Sequence, residues 1–466
     1  MNMINVRRLA VMTFLGAGML SDISAQDFSL QADTLNEARL PAQWDLQSCI
    51  DYALEQNITI RKNRVTAEST QIDVKTAKAA LFPSLSFSTS QQVVNRPYQE
   101  TSSRVSGSEI ISSNSKTSYN GNYGLNASWT IYNGSKRLKT LKQERLNNQI
   151  AELDVATSEN TIKESIAQIY IQILYAAESV RVNENTLQVS IAQRDRGQEL
   201  LNAGSIAKSD LAQLEAQVST DRYQLVTAQA TLQDYKLQLK QLLELDGENE
   251  MNVYLPKLSD ENVLAPLPAK KDVYVSALAI RPEIEASKLN VEASELGIDI
   301  AKSSYFPTIS LSAGIGTNHT SGSDFTFGEQ VKNGWNNSFG LSVSVPIFNN
   351  RQTKSAVQKA KLQRETNMLS LLDEQKALYK TIESLWLDAN SAQQRYAAAN
   401  EKLRSTQISY DLISEQFNLG MKNTVELLTE KNNLLQAQQE QLQAKYMAIL
   451  NTQLLKCILI KSIINE

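Results

Sequence analysis

The sequence predicts a mainly α-helical chain with a small transmembrane β part, laid out as two copies of a helix-strand-strand-helix repeat. Three observations carry this expectation. The chain duplicates itself, two long stretches lack both proline and glycine, and four short segments alternate apolar with small polar residues. The chain has 466 residues and a formal net charge of −4, so a polyanion partner such as nucleic acid is not implied. His319 is the one histidine, and no His/Cys group has metal-ligand spacing, so no metal or cofactor is expected.

Residues 1–25 read as an export signal. Arg7 and Arg8 precede a short apolar run from Leu9 to Leu20, and Ser24 and Ala25 offer small residues for cleavage. A membrane anchor would need a run of roughly 20 apolar residues, longer than this one. No later segment is apolar for long enough to be a spanning helix, so any membrane part must be strands.

The duplication organises the rest. Ala77-Lys78 with Phe82-Pro83 reads against Ala301-Lys302 with Phe306-Pro307, and Ile131-Tyr132-Asn133 against Ile347-Phe348-Asn349. Asn202-Ala203-Gly204 pairs with Asn418-Leu419-Gly420, and Asp210-Leu211 with Glu426-Leu427. The first repeat is expected over 26–245, the second over 272–466, and a proline-containing linker or small separate element over 246–271.

Each repeat should open with a helix, about 44–80 in the first. Proline and glycine are both absent from 135–196 and from 347–419, the condition for long uninterrupted helices. The apolar stripes keep a seven-residue period: Leu378, Ile382, Leu385, Ala389, Ala392, Tyr396, and likewise Ile162, Ile166, Ile169, Ile173, Ala176. The return helix carries Leu211, Leu214, Val218, Asp221 and Leu225 in the same rhythm. A helix over 135–201 would be about 100 Å long, and the helix after the turn at Gly204 about 58 Å. The opening helix adds about 55 Å, so two short helices stacked end to end match one long helix. A rod of continuous long helices and broken short pairs is therefore expected.

The strands are expected at about 83–97, 119–133, 307–317 and 337–348, each of about ten residues, the length of a tilted membrane strand. Tyr123, Leu125, Ala127, Trp129 and Ile131 alternate with Asn122, Gly124, Asn126, Ser128 and Thr130. Phe339, Leu341 and Val343 alternate with Ser338, Gly340, Ser342 and Ser344. Polar loops at 98–118 and 318–336 join each pair. Four strands cannot close a barrel, which needs about eight, and open edges are not tolerated in lipid. Other copies must complete the sheet, with the small polar face lining water.

These features together resemble the TolC-like outer-membrane efflux family over essentially all of the sequence after the export signal. The ordered set carries the resemblance: Phe-Pro at both strand starts, the strand endings Trp129-Thr130-Ile131-Tyr132-Asn133-Gly134 and Val345-Pro346-Ile347-Phe348-Asn349, Arg281-Pro282-Glu283-Ile284, and Asn418-Leu419-Gly420 before Glu426-Leu427. The resemblance implies a homotrimer with a twelve-stranded barrel, a helical tunnel and an equatorial belt. It implies a place in the outer membrane of a Gram-negative bacterium, reaching into the periplasm. Its partners would be outer-membrane lipid, a periplasmic adaptor and an inner-membrane efflux transporter. Cargo would be small molecules, or unfolded proteins as in type I secretion; no catalytic group can be assembled. A secreted coiled-coil adhesin or fibre accounts for the signal and heptads, but not for the strand pairs.

The resemblance also implies a gate at the helix turns, Gly204 and Gly420. Its constriction acid falls on Glu426, and the second acid position holds Thr429. The linking basic residue falls on Lys422, with Ser209 and Asp210 as partners, and the linking tyrosine falls on Phe417, which lacks the hydroxyl. All of these could equally be solvated turn residues. Cys49 and Cys457 would be neighbours if the short helices meet near mid-rod, and two separate buried thiols are the alternative.

Overall fold

The structure is a computed structural model that describes residues 43–98, 102–106, 109–113, 116–246, 251–256, 263–321 and 325–459, with residues 41 and 323. The expected export signal at 1–25 lies outside the described residues. The first part of the chain comprises α1 (Leu46–Gln56), α2 (Ile58–Ala79), β1 (Ser84–Asn95), β2 (Ser102–Ser106), β3 (Glu109–Ser113), β4 (Thr117–Asn133), α3 (Lys136–Asn202) and α4 (Lys208–Leu242). Then come α5 (Lys270–Ile280), α6 (Pro282–Ser303), β5 (Thr308–Thr320), α7 (Phe327–Asn333), β6 (Asn336–Ser344), α8 (Gln352–Asn418) and α9 (Thr424–Leu459).

The opening helix expected over 44–80 is two helices, because Asn57 interrupts it in an extended conformation (φ −60°, ψ 125°). Its side chain accepts from the N–H groups of Thr59 and Ile60, capping α2, and donates to the carbonyl of Leu242 at 3.0 Å. Arg281 makes the same break between α5 and α6 (φ −67°, ψ 124°), and Pro282 begins α6, where its missing N–H costs nothing.

Each end-to-end stack forms within its own repeat. The end of α4 meets α1 and α2 around Trp44, Cys49, Ile166, Leu239 and Leu243, whereas the end of α9 meets α5 and α6 around Val273, Ile284, Leu378, Ile382 and Leu455. This separates the two cysteines expected as possible neighbours: both are free thiols, Cys49 fully buried. Burial pushes the Cys49 thiol up to about 12 and the Cys457 thiol up to about 11.

Both long helices have 67 residues, so each is about 100 Å long. Among the described residues no helix is long and apolar enough to cross a membrane. Near the sheet the helices pack in the order α2–α3–α6–α8, and toward the far end in the order α4–α3–α9–α8. The described residues between the repeats, 251–256 and 263–269, pack against this layer. Trp44 bridges to Val253 as a parallel β-pair, and Tyr170 donates its hydroxyl to the carbonyl of Tyr254. Further on, Val263 buries against Ala392, Tyr396 and Ala444, and Gln393 donates to the carbonyls of Val263 and Ala265.

The main sheet is antiparallel with strand order β1-β4-β5-β6. Two stretches expected as plain polar loops contain structure. Within 98–118, β2 and β3 pair from Ser102↔Ser113 to Ser106↔Glu109, so the described residues hold six strands rather than four. Within 318–336, α7 forms because Thr326 and Glu329 cap it reciprocally: the Thr326 N–H donates to Glu329 at 2.8 Å, and the Glu329 N–H to Thr326.

Candidate functional site

The register of the sheet separates two faces. On one, Phe87 faces Leu125 and Leu125 faces Ile315, Trp129 faces Leu311, and Ala313 faces Phe339. On the other, Ser84 faces Ser128, Ser88 faces Gly124, Asn126 faces Gly314 and Ser312 faces Gly340. The polar face satisfies itself across strands: the Ser84 and Ser128 hydroxyls are 2.8 Å apart, and Asn126 donates to Ser88 at 3.3 Å. Large apolar side chains on the other face stay exposed, with Phe87 at 68% and Phe339 at 85%. Water does not stabilise such a surface, and lipid does. Near the loop end of this face, His319 lies between Tyr119 and Tyr123, with Phe327 of α7 edge-on at 5.0 Å.

Both strand-to-helix junctions turn through two consecutive left-handed residues, Gly134-Ser135 and Asn350-Arg351. Gly134 is required there, because a Cβ would lie 2.7 Å from the Ser303 carbonyl oxygen. Sequence reasoning used Gly134 only as a strand ending and gave the other three residues no part.

The far ends are two matched turns. Gly204 (φ 74°) and Gly420 (φ 75°) end α3 and α8, with Ser205 N–H donating to the Leu200 carbonyl and Met421 N–H to that of Gln416, both at 2.8 Å. Glu426 stands at the third position of α9. It accepts from Asn423 N–H at 3.2 Å, and its own N–H donates to the Asn423 side chain at 2.9 Å. Lys422 Nζ lies 2.6 Å from Glu426 Oε1. That hydrogen bond, with the Asn423 N–H, holds the Glu426 carboxyl below its ordinary value. Within the chain Lys422 therefore does not reach Ser209 or Asp210, its expected partners. The i,i+4 spacing puts Glu426 beside it, whereas Asp210 accepts from Ala207 N–H at the start of α4 and Ser209 is exposed. Thr429 donates its hydroxyl to the carbonyl of Val425, and Phe417 is buried.

Farther from the tips the structure assembles a polar group that sequence reasoning did not find. Lys431 of α9 reaches Asp221 of α4 and Ser190 of α3, all three at most 3% exposed. Gln217 donates to the other Asp221 oxygen at 2.9 Å. Burial pushes the Lys431 ammonium down from its ordinary value, and the Asp221 carboxylate opposes that shift. The available signal was Asp221 itself, a charge in an apolar heptad stripe.

A sheet that is apolar on one face, small and polar on the other and open at both described edges, running into helices about 100 Å long, defines one segment of an oligomeric membrane barrel with a helical extension. The family model described as outer membrane efflux protein matches residues 49–244 and 273–458, and the chain belongs to that family. It is 26% identical over 290 residues to the outer membrane efflux protein BepC of Brucella suis biovar 1, covering 62% of this chain and 60% of BepC. It is 25% identical over 341 residues to the outer membrane protein TolC of Escherichia coli, covering 70% of this chain and 66% of TolC. These matches thus span 60% and 66% of the two relatives' lengths. Among solved structures, CusC shares the fold with a TM-score of 0.75 at 19% identity, covering 90% of this chain and 91% of CusC.

Proposed function

We propose that the chain is one subunit of an outer-membrane export channel, a ring of three copies that passes small molecules from the periplasm to the outside. The observation that carries this reading is the two-faced sheet with unpaired edges at β1 and β6. Head-to-tail pairing of β6 with the next copy's β1 closes a ring without a free edge. Three copies would give twelve strands, and inner faces of Ser, Asn and Gly would leave the lumen open to water. The edge helices support the same closure. On α2, Ile58, Val65 and Ile72 stand seven apart on the side away from α3, and on α8 Leu362 and Leu369 do the same on the side away from α6. A coiled-coil fibre would leave the apolar sheet face in water.

The 100 Å helices would extend the lumen through the periplasm as a tunnel. An inner-membrane transporter would supply the energy, and a periplasmic adaptor would join the two. The gate would lie at the tips: three Glu426 carboxylates would attract cations and repel one another, and Lys422 would neutralise them in the closed state. Thr429, one turn later, adds no second acid, and Ser209 and Asp210 stand on the facing turn. The test is purified protein in planar bilayers, beside expression in a Gram-negative host lacking its own export channel. Cation-selective conductance and restored tolerance of toxic small molecules are expected; absence of any channel in bilayers would overturn the reading.

A further inference from the structure

The buried group formed by Lys431, Asp221 and Ser190 has no role in the function proposed above. Its placement breaks the pattern of the helices in two complementary ways. Asp221 stands at a core position of α4, where the second repeat has fully buried Ala437. Lys431 stands on α9, where the first repeat has exposed Glu215. Each repeat thus carries one buried charge that its counterpart lacks, and the two meet across the repeats with Ser190 of α3 between them. The group is closed on itself: the ammonium touches Asp221 Oδ2 and the Ser190 hydroxyl, Ser190 donates to Asp221 Oδ2, and Gln217 donates to Asp221 Oδ1.

Such a pair adds little net stability, because desolvating both charges offsets their attraction. What it supplies is uniqueness. The stripes joining α9 to its neighbours repeat every seven residues and are largely Leu, Ile and Ala, so a slip by one heptad, about 10.5 Å, would find a similar apolar seam. A slipped α9 would leave an ammonium and a carboxylate buried apart, at a large cost. Lys431 lies five residues after Glu426, which places it about 7.5 Å farther along α9 and about 140° around it. The anchored side of α9 is therefore nearly opposite the side that bears Glu426.

We propose that Lys431 is a positioning residue for the channel's constriction: held by Asp221 and Ser190, it pins the register and rotation of α9, and so sets the height and aim of Glu426. This rests on the reading of Glu426 as the constriction acid. The experiment compares three variants of the full channel in planar bilayers: Lys431→Met, the double variant Lys431→Met/Asp221→Leu, and Glu426→Ala. Single-channel conductance and the cation-to-anion permeability ratio are read for each, with thermal stability of the assembly alongside. Lys431→Met strands a buried carboxylate and is expected to lower stability. The double variant removes both charges and is expected to keep the wild-type melting temperature. It should nevertheless raise conductance about two-fold and at least halve the permeability ratio, because the pin is gone. A double variant with wild-type conductance and permeability ratio overturns the proposal, whatever its stability. Loss of selectivity in Glu426→Ala alone means that the constriction acid stands and the pin fails. Loss in the double variant with Glu426→Ala unchanged overturns the Glu426 assignment and, with it, the proposal that the pin aims Glu426.

Discussion

The interface between copies can be tested at Val65. This residue lies at the centre of the outward stripe of α2, and Ile58, Val65 and Ile72 are 60%, 64% and 59% exposed in the single chain. Fully burying such a side chain is worth about 1.5–3 kcal/mol, so the exposed remainder of each represents about 1–2 kcal/mol. The stripe therefore contributes about 3–6 kcal/mol per interface when the next copy covers it. Val65→Asp forfeits its share and places a carboxylate in an apolar seam, which costs several kcal/mol more unless a partner answers it. The loss recurs at every interface of the ring. Val65→Ala loses only the apolar share, about 1 kcal/mol. The assay is size-exclusion chromatography with light scattering in mild detergent, followed over a temperature ramp. Val65→Asp is expected to run as a helical monomer, and Val65→Ala as an oligomer that dissociates at a lower temperature. An oligomer of Val65→Asp as heat-resistant as the wild type would refute the placement of α2 at the interface.

Lys422→Ala should shift the acid loss of cation selectivity to higher pH. The Glu426 carboxyl is held below its ordinary value by Lys422, so its charge persists as pH falls until that lowered value is passed; reversal potentials between about pH 3 and pH 7 measure this. Glu426→Ala should remove the selectivity at all of these pH values. Gly204→Ala and Gly420→Ala should each cost about 1 kcal/mol, since both residues have positive φ and open space around them, whereas Gly134→Ala should cost more because its Cβ meets the Ser303 carbonyl; denaturant unfolding ranks the three. Cys49 and Cys457, with thiols raised to about 12 and about 11, should resist alkylation in the folded channel and both react fully after denaturation without reductant; one unreactive pair would reveal a disulfide.

The sequence by itself determined the parts with a strong period. Both 67-residue helices follow from heptads without proline, with Gly197 near the end of α3 as the one glycine inside them, and the two faces of the sheet follow from strict alternation. Gly204 and Gly420 mark the turns because a left-handed residue closes each helix. The tertiary structure decided what depends on groups far apart in the chain. Asn57 breaks the opening helix, and its side chain also meets the Leu242 carbonyl, 185 residues away. The cysteines part because each helix stack closes within its own repeat. Lys422 pairs with Glu426, four residues on at the same turn, an i,i+4 contact that the carried-over partners in the first repeat did not take into account. Lys431 and Asp221 each look like a flaw in a local pattern, and only the packing of α9 against α3 and α4 makes them a pair. A buried charge is tolerable where its partner is buried with it, and sequence spacing carries no record of a partner 210 residues away.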